Sequence, residues 1–125
     1  MWNSPFREAF LAAERNTDPR QLELSTMDVR SDVRLAAVRN SHTPEVVLNM
    51  LSVDPDSMVR AAVASRTWSR EVLRTLSKDR NINVRRAVAT NVRTPRGILT
   101  AWKRNEDGEL AQRAIGTLYI LSRAV

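Results

Sequence analysis

The sequence predicts an all-α protein, a right-handed solenoid of about four to five short helical-hairpin repeats in one domain spanning residues 1–125. Two observations predict it. Three stretches repeat nearly in register: Ser31-Asp-Val-Arg-Leu-Ala-Ala-Val-Arg-Asn, Met58-Val-Arg-Ala-Ala-Val-Ala-Ser-Arg and Asn83-Val-Arg-Arg-Ala-Val-Ala-Thr-Asn. Their first core valines, Val33, Val59 and Val84, lie 26 and 25 residues apart. A fixed period in this range marks units that bury an apolar face only against their neighbours. Within each copy the apolar residues recur at i, i+3 and i+4, which is helical spacing.

The elements follow in order. Ser4-Pro5 opens an N-terminal capping helix, about residues 4–15, with Phe6, Ala9, Phe10 and Ala13 on one face. Repeats occupy about residues 16–104, each read as two helices. The first helix starts at Asp18-Pro19 in a degenerate copy, then at Thr43-Pro44, Ser69-Arg70 and Thr94-Pro95. Thr, Ser or Asp is the expected N-cap, and Pro suits N1, where its missing N–H would be unpaired anyway. Apolar residues follow: Val46, Val47, Met50 and Leu51; Val72, Leu73 and Leu76; Ile98, Leu99, Ala101 and Trp102. These helices should run about ten residues. The second helix presents Val33, Ala36, Ala37; Val59, Ala62, Val63; and Val84, Ala87, Val88 to the core. It should end near Asn40, Arg66 and Asn91, where Asn tolerates the left-handed conformation of a C-terminus and Arg66 breaks the pattern. After an interruption at Asn105-Glu-Asp-Gly108, a longer capping helix covers about residues 108–123.

Composition narrows the classes. The 125 residues can bury about two thirds of their unfolded surface, enough for a core without staples. No Cys is present, which excludes disulfides and thiolate metal sites. No apolar run approaches the ~20 residues of a membrane span, and Met1-Trp-Asn-Ser-Pro-Phe-Arg-Glu does not read as a signal peptide. The expectation is a soluble cytoplasmic protein with no membrane partner. The chain is basic, with 18 Arg and 2 Lys. Residues 1–62 carry 7 basic and 9 acidic side chains, a net of −2; residues 63–125 carry 13 and 5, a net of +8. That split suggests an acidic partner near the C-terminal half; a solvated, well-charged surface is the plainer alternative.

A further motif joins the copies: Asp28-x5-Arg34, Asp54-x5-Arg60 and Asp79-x5-Arg85. With it, residues of about 7–118 resemble HEAT-like repeats, most closely the short leucine-rich repeat variant class. The resemblance implies that Asp28, Arg34, Asp54, Arg60, Asp79 and Arg85 form a structural ladder of inter-repeat hydrogen bonds and ion pairs. The fourth unit has Asn105 and Ala111 at these positions, so the ladder should stop there. Such solenoids serve as scaffolds and adaptors and, in one branch, as DNA glycosylases acting on alkylated bases. The known leucine-rich repeat variant protein carries a Cys-ligated iron–sulfur cluster, which this chain cannot ligate.

No catalytic constellation emerges. His42 is the only histidine, so neither a Ser-His-Asp arrangement nor a metal site can be assembled. Three glycines, Gly97, Gly108 and Gly116, make no phosphate-cradling loop. The pairs Asp54/Asp56 and Glu106/Asp107 fall in expected turns and read as caps or solvated groups. A glycosylase would need aromatic residues and a carboxylate to hold a base; the chain offers Trp68 and Trp102 with Glu71 or Asp79 nearby, and Trp102 falls on a core stripe. No enzyme activity and no cofactor is expected.

Three surfaces are candidates for binding. Aligned turns place His42, Trp68 and Arg93 at one position, a rim in which Trp beside Arg is a typical hot-spot pair; alternatively Trp68 folds onto Pro44 or Val72. Arg39, Arg66 and Arg86 fall on the second helices, which line the concave surface of such a fold, and Arg93, Arg96, Lys103 and Arg104 extend the field. Leu118-Tyr-Ile-Leu121 and Ala124-Val125 are apolar on more than one side, which suggests self-association, partner docking or a helix folded over the open core end. The leading function is protein–protein interaction; the runner-up is nucleic-acid phosphate binding by the basic half.

Overall fold

The computed structural model describes residues 5–124, and among them every regular element is helical. The helices are α1 Pro5–Arg15, α2 Pro19–Ser25, α3 Ser31–Arg39, α4 Glu45–Met50, α5 Ser57–Arg66, α6 Arg70–Leu76, α7 Ile82–Thr90, α8 Arg96–Trp102 and α9 Gly108–Arg123. A short 3-10 turn, Leu51–Val53, follows α4. Ser4 and Val125, which the sequence reading assigns to the two ends, lie outside the described residues. No helix among the described residues is long and apolar enough to cross a membrane.

The chain divides into two compact units, Met1–Val63 and Ala64–Val125, with the division inside α5. The charge split falls at the same place, since Val63 is neutral. In the first unit, Ala13 of α1 packs with Val33, Ala36 and Ala37 of α3, and Phe6, Ala9 and Phe10 close over them. Small alanines let the two helices approach closely. In the second unit Ala89, Leu99, Leu110 and Ala114 form the centre, with Ile82, Trp102, Leu118 and Leu121 packed around it. Leu99 and Leu110 are fully buried, and each such side chain stabilises by about 1.5–3 kcal/mol over leaving it exposed.

Several expectations about local structure need correction. The first-type helices α2, α6 and α8 have seven residues and α4 has six, not about ten. The missing turn in α4 shows in the pattern: Val46 and Met50 are exposed, and Leu48 joins Val47 and Leu51 inside. Ala101 is exposed, and Ala62 is only half-buried. Asp18 and Ser69 do cap their helices, accepting from the amides of Arg20 and Val72. Thr43 and Thr94 do not. Each lies one residue too early, because the N-cap positions belong to Pro44 and Pro95. Both threonines are buried, and their hydroxyls donate back to the carbonyls of Ala37 and Val88 six residues upstream.

Asn40 and Asn91 likewise work through the side chain. Both are extended, at φ −69° and −83°, and no described residue has positive φ. Asn40 Nδ2 donates to the carbonyls of Ala13, Glu14 and Asn16 at 3.0, 3.3 and 2.8 Å, at the open end of α1. Asn91 Nδ2 donates to Ala64 and Thr67 carbonyls, both at 2.9 Å, at the open end of α5. The last carbonyls of a helix have no partner within it, and an amide one repeat later supplies one. Each Oδ1 in turn accepts from the amide two residues on, that of His42 or Arg93. Helix α5 runs one residue longer, to Arg66, so Thr67 takes the equivalent place; it is fully buried, and its hydroxyl oxygen accepts from the Ser69 amide. That extra residue is why Arg66 interrupts the Asn pattern.

Candidate functional site

The Asp–Arg motif comes first, because its geometry shows which charges are committed to the frame. Asp28, Asp54, Asp79 and Asn105 each accept, through a side-chain oxygen, from the amide two residues on. This tight turn launches the second-type helix. Arg34, Arg60 and Arg85 reach back six residues and donate through Nη1 to the carbonyls of Asp28, Asp54 and Asp79. Arg34 also grips the Asp54 carboxylate of the next repeat through Nε and Nη2, at 2.8 and 3.2 Å. Asp54 and Arg60 are buried. The Arg34 guanidinium is held further above its ordinary range by that carboxylate.

Arg86, assigned by the sequence to a binding surface, is engaged elsewhere. Its Nε and Nη2 meet the two Asp107 oxygens at 3.2 and 2.6 Å, and Nη1 lies 3.1 Å from Glu109. Glu109 also pairs with Arg113 at 2.8 Å. Asp107 caps α9 through the Leu110 amide, and the Arg86 hydrogen bonds hold its carboxyl below the usual range. The sequence pairs Glu106 with Asp107; the structure makes Asp107 the capping member.

His42 and Arg39 belong to the first unit and are exposed. Arg39 lines a cavity of about 390 Å³ with Phe10, Glu14, Asp32, Leu35 and Asn40. Arg66 is half-buried at the last position of α5. In the second unit Trp68 and Arg93 come together. The Arg93 guanidinium lies over the Trp68 ring, 5.2 Å from its centroid, within cation–π range. Trp68 remains 65% exposed. The Asn91 side chain fixes the Arg93 amide, so the buried joint described above positions the exposed pair.

Beside this pair lies a pocket of about 340 Å³, lined by Arg70, Val92, Thr94, Pro95, Arg96 and Leu121. No acidic residue lines it. Thr94 is buried and its hydroxyl donates to the Val88 carbonyl; the lining combines the aliphatic Val92, Pro95 and Leu121 with the polar Arg70 and Arg96. Arg96 makes one long hydrogen bond, 3.4 Å, to the Leu121 carbonyl. The sequence reading missed Arg70 and Val92, and it placed Leu121 in the apolar C-terminal set, apart from this site. One signal was readable for Arg70: it begins α6, where a positive charge opposes the helix dipole.

Other residues considered for chemistry are dispersed. Trp102 is half-buried in the second core. Glu71 is exposed, and the Asp79 carboxylate accepts from the Asn81 amide. Among the described residues no group of three or more His, Cys, Asp or Glu side chains could hold a metal ion. On α9, Leu118 and Leu121 turn into the core, whereas Ile115, Tyr119 and Ile120 are exposed. Comparison with known proteins finds no matching family model, no matching curated protein and no matching solved structure.

Proposed function

We propose that this chain is a non-catalytic, cytoplasmic protein-interaction module of the HEAT-like solenoid type, whose partner is acidic at its contact surface. The single observation that carries the binding reading is the exposed Trp68–Arg93 stack beside a pocket flanked by Arg70 and Arg96. Trp and Arg are the side chains most enriched at binding hot spots. An aromatic this exposed contributes little to the fold and exposes apolar area to water. The solenoid reading is supported by the recurrence of one turn at Asp28, Asp54, Asp79 and Asn105, spaced 26, 25 and 26 residues apart, with the same Asp or Asn oxygen bond in each.

The test is affinity capture from native lysate, with and without nuclease, using the wild-type chain and Trp68→Ala. Nuclease-resistant recovery of a protein that Trp68→Ala loses supports the reading. Recovery that nuclease abolishes supports instead the second reading, phosphate binding by the second unit. That reading is favoured by the net charge of +8 on residues 63–125 and would show a steep loss of affinity with salt.

A further inference from the structure

We infer that the pocket at Arg70, Val92 and Arg96 receives an extended acidic segment of the partner protein in which an aliphatic side chain stands next to a carboxylate. This rests on the protein-binding reading above and names what that site selects. Two features of the pocket point to it.

The first is charge. Arg70 and Arg96 are the first residues of α6 and α8. Cations there oppose the helix dipole, so their placement costs the folded state. Neither has a carboxylate partner among the described residues, unlike Arg34 and Arg86, which do. Arg70 and Arg96 both line this pocket, and Arg93 stands in sequence between its Val92 and Thr94 walls. A carboxylate seated there gains planar, two-pronged hydrogen bonds of the kind Arg favours.

The second is the apolar lining. Val92, Pro95 and Leu121 wall the pocket, and Val92 is 41% exposed. A bare phosphate would leave these walls in water, and a purely apolar ligand would leave the guanidiniums unmet. At about 340 Å³ the space admits one or two side chains; small-molecule pockets begin near this size. A short segment carrying both groups fits both features, with the open area of Trp68 available to its neighbouring residue.

The experiment is a ¹H–¹⁵N NMR titration of the full chain with the peptide acetyl-Glu-Leu-Asp-Leu-amide. Its controls are acetyl-Glu-Ser-Asp-Ser-amide, acetyl-Gln-Leu-Asn-Leu-amide and oligothymidylate. The expected result is shifts concentrated at the Trp68 indole N–H and the amides of Val92, Arg96 and Leu121. Both control peptides should bind at least about tenfold more weakly, as loss of a hot-spot contact requires. Arg70→Gln with Arg96→Gln should weaken the acidic peptide by a similar factor without lowering the melting temperature, since both side chains are exposed and the removed charges oppose the helix dipole. Equal binding of the serine peptide or of oligothymidylate would show that charge alone is read and overturn the inference. So would equal binding of the amide peptide, or shifts elsewhere. If the peptide moves none of these signals while partner capture still depends on Trp68, this inference falls and the protein-binding reading stands. If the peptide binds here as expected but every captured partner is lost to nuclease, the pocket assignment stands and the protein-binding reading falls.

Discussion

Asn91→Ala tests the joint that ties the buried frame to the exposed pair. Asn91 is 5% exposed and makes three hydrogen bonds: Nδ2 to the Ala64 and Thr67 carbonyls, and Oδ1 from the Arg93 amide, all at 2.9 Å. Truncation leaves two carbonyls and one amide without that partner. A hydrogen bond contributes about 1 kcal/mol net, and a buried group left unmet costs about 1–3 kcal/mol. The Arg93 amide lies at an exposed residue and can turn to water, so the two carbonyls dominate. The expected loss is about 3 kcal/mol, or roughly 10 °C in Tm for a chain of this length. Calorimetry and urea unfolding, with the slope m checked for constancy, measure it. A loss under about 1 kcal/mol would show that water replaces the amide freely and would refute the reasoning.

The companion Asn91→Asp separates donor from shape. At neutral pH its carboxylate faces two carbonyl oxygens, so the loss should equal or exceed that of alanine. Burial and those carbonyls raise the folded-state pKa of the new carboxyl. Stability should therefore recover on acidification, where the protonated acid can donate once, and fall as pH rises through the folded pKa. A variant as stable as wild type at neutral pH would mean that the donated bonds contribute nothing.

Trp68→Ala should leave stability within about 1 kcal/mol, the scale of an exposed cation–π contact, while partner affinity falls by about 2 kcal/mol or more; the reverse outcome removes Trp68 from the binding surface. Arg60→Ala should cost about 1–3 kcal/mol, because the carbonyls of Asp54 and Pro55 lose its guanidinium; an unchanged melting curve with lost binding would invert the role assigned to the motif. Acid should destabilise the protein through Asp28 and Asp107, whose carboxyls are held below the usual range by the hydrogen bonds of Arg30 and Arg86. Their contribution is complete above the unfolded carboxylate pKa of about 4 and is lost as pH falls through the depressed folded values. Stability measured from pH 6 down to pH 2 (roughly the span of carboxylate titration) should decline less steeply in Asp28→Asn and Asp107→Asn, and identical slopes would dismiss these pairs.

How far the sequence could be read depended on whether a feature was local. The helices at Ser31, Ser57 and Ile82 were legible because Val33, Val59 and Val84 carry a strict i, i+3, i+4 stripe and are buried without exception. Helix α4 was misread in detail because Val46, Val47, Leu48, Met50 and Leu51 give too many apolar residues for a six-residue helix to bury. Periodicity cannot say which of them face inward. The polar joints were visible as recurring residues but not as roles. Asn at a helix end suggests a backbone conformation, whereas here its amide crosses to a carbonyl 24 or 27 residues earlier. No local rule reports a bond over that distance. Arg86 illustrates the same limit for charge, since its partner Asp107 is 21 residues away.

This division bears on where binding can reside. The charges committed to the frame, Arg34, Arg60, Arg85 and Arg86, reach a backbone carbonyl or a carboxylate. Those bordering the pocket reach none of the carboxylates. Arg70 and Arg96 sit where the helix dipole disfavours them, and Arg93 is held by Asn91 at its backbone and by Trp68 at its guanidinium. Arginines spent on the fold and arginines left at a cost to it are thus distinct sets. The second group is one that an acidic ligand would complete, because Arg70 and Arg96 are exposed and pair with no carboxylate among the described residues.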